Sequence, residues 1–163
     1  MKKLLALLII IVAVLAFSVW SGSGKIRFMP ILEQKVEHSE EVVLERFYGD
    51  TVIQSASLSK EEFKALMDQL PGGLGRMPSS NTKCWVPHHR IKFRGSKEDM
   101  VEICFTCNEL WTAESGRRKI PEDWRQPLRA IYTASNIPDS APSYEEYNKF
   151  QEAMFEAEEE NAE

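Results

Sequence analysis

The chain has 163 residues, with 20 Lys+Arg against 25 Asp+Glu and a net charge of −5. Hydrophobic residues make up 43% and charged residues 28%, enough apolar material for a packed core, which excludes wholesale disorder. The acidic balance leaves no Lys/Arg stripe to neutralise phosphates, which excludes nucleic acid as a partner, and three cysteines are too few for a disulfide-dense miniprotein. The length suits one small domain with attachments.

Residues 1–3 are Met-Lys-Lys, and residues 4–20 then run LLALLIIIVAVLAFSVW, uncharged and with Ser18 as the single polar residue. A basic start followed by an apolar run is an export signal. The 17-residue run reaches the lower limit for spanning a bilayer, and Trp20 suits the membrane–water interface. Small residues at Ser21 and Ser23 would equally serve cleavage before Gly24. An uncleaved anchor is preferred here, with a cleaved signal peptide as the alternative. No cysteine stands near enough for a lipoprotein signal. Lys2 and Lys3 would keep the N-terminus in the cytoplasm, although Lys25 and Arg27 oppose them. Residues 25–163 are therefore expected in the bacterial cell envelope, facing the periplasm or outside on an inner-membrane anchor, or secreted after cleavage. That compartment is oxidising.

Three parts are expected: 1–24 as signal or anchor, 25–143 as an α+β domain, and 144–163 as a C-terminal helix with an acidic tail. His38 lies in a solvated charged run and is given no role. Val42–Tyr48 and Thr51–Ser57 flank Gly49-Asp50, which predicts a hairpin with a tight type II′ turn. Ser59 with Glu62 forms a capping box and Leu58 with Phe63 a hydrophobic staple, so a helix is predicted over 60–70, stopped by Pro71-Gly72-Gly73. Gly72-Gly73-Leu74-Gly75 is part of that stop and not a phosphate loop, because it follows a helix and lacks the Lys-Ser/Thr ending.

A second hairpin is predicted from 90–94 and 101–105 around the turn-rich stretch Gly95–Asp99. Pairing Phe93 with Val101, Ile91 with Ile103 and Lys92 with Glu102 puts apolar pairs on one face and opposite charges on the other. Asn108–Glu114 is a short helical candidate. Prolines at 121, 127, 138 and 142 predict short helical turns around Trp124 and Leu128–Tyr132. The tryptophans at 85, 111 and 124 are expected in the core. Residues 144–163 hold eight Glu and one Lys, leaving 25–143 neutral with 17 of each sign. Ser143 and Glu146 cap a helix over about 144–157. Its Tyr144, Tyr147, Phe150, Met154 and Phe155 form a stripe, which is expected to lie on its own domain in preference to docking a partner.

All three cysteines fall within 24 residues, around the pair His88-His89. The expected register sets Arg90 opposite Cys104 and Pro87 opposite Cys107, so Cys84–His89 meets Cys104–Cys107 at the open end of the hairpin. Three chemistries fit. Zinc takes four ligands in a tetrahedron, here Cys84, one histidine, Cys104 and Cys107. A disulfide would join Cys84 to Cys104 or Cys107. A redox C-x-x-C would use Cys104 as nucleophile and Cys107 to resolve, but lacks the usual βαβ surroundings. His89 is in phase with Ile91 and Phe93 on the core face. His88 is in phase with Arg90, Lys92 and the face that carries Cys104. Pro87 interrupts that phase, so both remain candidates. Taken alone, a histidine beside a proline at a strand start is more often hydrogen-bonded or on the surface than a ligand.

The segment Cys84-x-x-Pro87-x-His89-x-Ile91-x-Phe93, followed by Ile103-Cys104-Phe105-x-Cys107-Asn108, resembles a group of uncharacterised exported bacterial proteins. They share a C-x-x-P-x-H segment followed by I-C-F-x-C. The likeness covers residues 84–108, implies no activity, and singles out Cys84, Pro87, His89, Cys104 and Cys107, so it favours His89 over His88.

The expected function is a membrane-anchored or secreted binding or structural module. Its second hairpin is clamped by a disulfide or by zinc on Cys84, His89, Cys104 and Cys107, with His88 as the substitute for His89. Residues 4–20 provide the membrane contact if retained. The rival from another class is an envelope thiol–disulfide oxidoreductase using Cys104 and Cys107; a metal-delivery protein is a third reading. No hydrolase motif is present.

Overall fold

The computed structural model describes residues 25–70, 76–80, 85–95 and 99–160. The signal or anchor expected over 1–24, the Gly72–Gly75 stop and Cys84 lie outside the described residues. The chain is α+β: among the described residues four helices accompany a six-stranded antiparallel sheet and a separate two-stranded one.

Strand β1 (Lys25–Arg27) leads into helix α1 (Met29–His38), which starts with a proline in its first turn. Leu32 and Val36 are one helical turn apart and fully buried. Strands β2 (Ser39–Tyr48) and β3 (Thr51–Leu58) form the expected hairpin. Phe47 faces Val52 and Tyr48 faces Thr51, leaving Gly49-Asp50 as a two-residue turn. Gly49 takes φ +58°, the left-handed conformation that glycine adopts without Cβ strain. Helix α2 (Lys60–Met67) carries the capping box on Ser59 and Glu62 as expected and ends three residues before 70.

Strand β4 (Arg76–Pro78) pairs with β1. The large sheet then gains β5 (His89–Gly95), β6 (Asp99–Cys104), β7 (Glu109–Thr112) and β8 (Gly116–Lys119), in the order β3-β2-β5-β6-β7-β8. The expected helix at Asn108–Glu114 is therefore a correction: those residues are β7 and its following turn. Asn108 at φ +53° and Gly116 at φ +64° turn the chain at either end, and Thr112 Oγ1 accepts the Ser115 N–H at 3.0 Å between them. A meander of short strands results where the residues alone suggested a helical turn.

The β5–β6 register also needs correction. Phe93 faces Asp99, Ile91 faces Val101, Arg90 faces Glu102 and His89 faces Ile103, a shift of two residues from the expected pairing. An even shift keeps every side chain on its expected face. The reason lies beyond the hairpin. The shift draws Asp99 out of the turn into β6, where its carboxylate meets the ammonium of Lys35 on α1. Arg90 and Lys92 meanwhile share Glu45 on the opposite side of β5. Gly95 runs against β2 so closely that a Cβ there would lie 2.8 Å from the His38 carbonyl oxygen.

Residues 122–134 form one helix, α3 (Glu122–Ala134), instead of separate turns. Pro127 lies inside it and removes a backbone donor. Trp124, Leu128, Ile131 and Tyr132 repeat at 4, 3 and 1 residues, and all four are buried. The core lies between α1, α2 and α3 and the sheet face that carries Val42, Leu44, Ile91, Phe93, Val101, Ile103 and Leu110. Trp124 is inside as expected; Trp85 and Trp111 are half-buried.

Helix α4 (Tyr144–Glu160) begins with the expected Ser143–Glu146 box, the Glu146 N–H reaching Ser143 Oγ at 3.1 Å. Its stripe does not settle on the domain throughout. Tyr144 is 65% exposed, Met154 47% and Phe155 64%. Among the described residues no helix is long and apolar enough to cross a membrane, and the 4–20 run lies outside them.

Candidate functional site

The β6–β7 connection holds the cysteine pair. β6 ends at Cys104, which faces Glu109 across the turn, so Phe105–Asn108 form a four-residue loop. The Cys107 backbone N–H points back and donates to Cys104 Sγ at 3.2 Å. Asn108 closes the loop in the left-handed conformation, which asparagine tolerates better than most side chains. Cys104 is buried and Cys107 half-buried. The thiolate is the form of cysteine that binds metals and acts as a nucleophile. The element after the pair is the strand β7, so no helix follows it directly.

His89 and Cys104 lie on opposite faces of the sheet. His89 follows Ile91 and Phe93 onto the core face and is almost completely shielded. Its ring lies 4.8 Å from Phe105 and 5.0 Å from Tyr132. Nε2–H donates to the Pro138 carbonyl at 2.8 Å, which leaves Nδ1 as the bare nitrogen. Burial pushes the imidazole down to about 4, against the Pro138 carbonyl, which favours the charged form. His89 is neutral at physiological pH and ties segment 136–143 to the sheet.

His88 sits differently. Its carbonyl accepts the Phe47 N–H at 2.9 Å, so β2 follows the chain one residue past β5. Continued one step, the β5–β6 register faces Cys104 with position 88. Nδ1 of His88 lies 3.4 Å from the Phe47 carbonyl, and its ring stacks on Tyr48 at 6.4 Å. A metal-binding histidine usually donates its other ring N–H to a carbonyl or carboxylate, and His88 holds Nδ1 in that manner.

Cys84 lies outside the described residues, but both flanks of 81–84 are placed. On one side Ser80 donates its hydroxyl to Glu109, the ladder partner of Cys104, and its N–H to the Arg117 carbonyl at 3.2 Å. On the other side stands His88. Among the described residues, no group of three or more His, Cys, Asp and Glu side chains is set to hold a metal.

No family model, curated protein or solved structure matches this chain. The residues themselves thus carry the functional reading.

Two polar clusters go beyond what the residues alone suggest. Lys35 is nearly buried on α1, and its ammonium meets Asp99 and Glu114, the latter at 2.7 Å. These groups line a cavity of about 510 Å³ with Ile31, Gln34, His38, Ser39 and Phe93. Desolvation raises the Glu114 carboxyl, but hydrogen bonds, the one from Lys35 foremost, outweigh it and hold the group below the usual range. His38 is exposed, with Nδ1 against the Gln34 carbonyl at 2.7 Å. The second cluster centres on Arg46, also nearly buried. It donates to the Ser140 carbonyl at 2.9 Å and grips both carboxylate oxygens of Glu146 at 3.0 and 3.1 Å. The grip holds the Glu146 carboxyl down at about 2. The amphipathic spacing of residues 29–38 is the available signal for Lys35. Nothing local marks Arg46, whose partners are about a hundred residues away.

Proposed function

We propose that this protein is an exported binding or structural module of the bacterial cell envelope, clamped at one end of its sheet by cysteine chemistry. The observation that carries this reading is the convergence on Cys104. Cys107 donates its N–H to the Cys104 sulfur, Ser80 bonds to the residue facing Cys104, and His88 directly precedes the last β5–β6 pair, His89 with Ile103. In the sequence Cys84 stands four positions after Ser80 and four before His88. The clamp joins Cys84 to Cys104 or Cys107 as a disulfide, or holds zinc on the three sulfurs with His88 as fourth ligand. His88 supports the zinc form better than His89, whose ring is enclosed by Phe105 and Tyr132 on the other face.

Domain 25–143 is the module, with residues 144–163 as an acidic helical extension. Residues 4–20 attach it to the inner membrane if they are retained, and secretion follows if they are removed. The oxidoreductase rival has less support, since its thiol pair sits in a turn between antiparallel strands with no helix dipole behind it.

Cys104→Ser separates the two. The clamp predicts a lower melting temperature for Cys104→Ser and Cys107→Ser alike in the zinc form, for whichever of the two is bridged in the disulfide form, and no exchange with oxidised dithiothreitol in the parent protein. An oxidoreductase would show exchange that Cys104→Ser abolishes at unchanged melting temperature, and that result would refute the proposal.

A further inference from the structure

Helix α4 carries apolar surface that its own domain leaves open. Tyr144, Tyr147, Phe150, Met154 and Phe155 fall on one side of the helix, while Glu145, Glu152 and Glu156 fall on the other. The first turn is fastened: Arg46 holds Glu146 from the sheet, and Tyr147 stacks on Tyr48 at 4.9 Å. Two turns further on, Met154 and Phe155 are 47% and 64% exposed. The row continues across the end of the sheet, where Tyr48 meets Tyr144 at 6.5 Å and stacks on His88. Methionine and aromatic side chains on one exposed stripe suit an adaptable protein contact.

Charge selects the occupant. Residues 144–163 hold eight Glu against one Lys. A second copy of the helix would bring an equal negative charge, and an anionic bilayer surface would be repelled in the same way. A cationic partner is attracted, and its charge fixes orientation as well as speeding encounter.

We propose that α4 is a docking surface for a Lys/Arg-bearing amphipathic helical segment of a partner protein. The partner's apolar residues, spaced i, i+3 or i+4, i+7, seat on Met154 and Phe155, and its basic residues are drawn by the net negative charge of residues 144–163. The docking surface is independent of the cysteine clamp.

The test uses the full chain in zwitterionic nanodiscs, with empty nanodiscs as blank. The probes are two synthetic helices matched in length to α4, one of leucine and lysine, the other of leucine and glutamate. At near-physiological salt the leucine–lysine helix should bind and the leucine–glutamate helix should not. The double variant M154A/F155A should weaken binding by about tenfold or more while leaving the thermal melt unchanged, since both side chains are exposed. Equal binding by the double variant would reduce the contact to bulk charge and overturn the proposal. Binding of the acidic helix, or self-association of the chain that the double variant abolishes, would overturn it as well.

Discussion

Replacing Trp124 by alanine should destabilise the domain by about 3–5 kcal/mol, the usual range for deleting a fully buried indole. Trp124 is 1% exposed and opens the buried row of α3, the helix that spans the core beside His89 and Phe105. The loss combines lost transfer energy with a cavity that neighbours of fixed backbone fill only in part. A urea titration of both proteins measures it through the shift in midpoint, and a loss below about 1 kcal/mol would place Trp124 outside the core. Trp85 and Trp111 are half-buried, so the same substitution there should cost less.

Acid should weaken the fold chiefly through His89. Its imidazole is pushed down to about 4 in the folded protein, against an ordinary value near 6.5 in the unfolded chain. Between these values the unfolded state binds the extra proton, so stability rises with pH. The neutral ring's full contribution is therefore present above about pH 6.5 and is lost as pH falls towards 4. The difference corresponds to about 3 kcal/mol. The ion pair of Glu146 with Arg46 acts in the same direction at lower pH, because a carboxyl held at about 2 loses its stabilising charge only as pH falls through that value. Glu102, raised by desolvation against the pull of Arg90, acts oppositely. Urea midpoints at pH 7 and pH 4.5 for the parent and His89→Gln isolate the histidine. The variant should lose most of the pH dependence in this window, and parallel curves would show that His89 does not titrate as described.

Much of the fold is legible where its causes are local. The Gly49-Asp50 turn, the Ser59–Glu62 box and the Ser143–Glu146 box each depend on residues within a few positions of one another, and each element begins where those residues place it. The β7–β8 meander is harder to read because Glu-Leu-Trp-Thr is too short to display a period. Its real markers are Asn108 and Gly116, two backbone positions at positive φ. Alternation fixes only the face of each residue and leaves the register free to slide by two. In β5 and β6 the choice falls to Lys35, 64 residues before the carboxylate it draws into the strand. The opposite phases of His88 and His89 are likewise readable from alternation, whereas the turn over residues 105–108 is not, since strand to 105 and a helix from 108 are what the residues suggest there. The Pro138 bond that occupies His89 is not, since a carbonyl 49 residues away leaves no trace in composition.

The exposed stripe of α4 divides in the same way. Its amphipathic spacing is a local property, whereas whether the domain covers it depends on where Arg46 and Tyr48 anchor the first turn. That anchor holds the beginning of the helix and leaves Met154 and Phe155 in solvent.

The convergence of the cysteines is tested most directly on the full-length protein isolated without reductant, by counting bound metal and reactive thiols under denaturing conditions. The clamp predicts one of two results: one zinc per chain with all three thiols recovered after chelation, or no metal and a single thiol. Three reactive thiols without metal would contradict it and leave Cys104 and Cys107 as side chains of an ordinary turn.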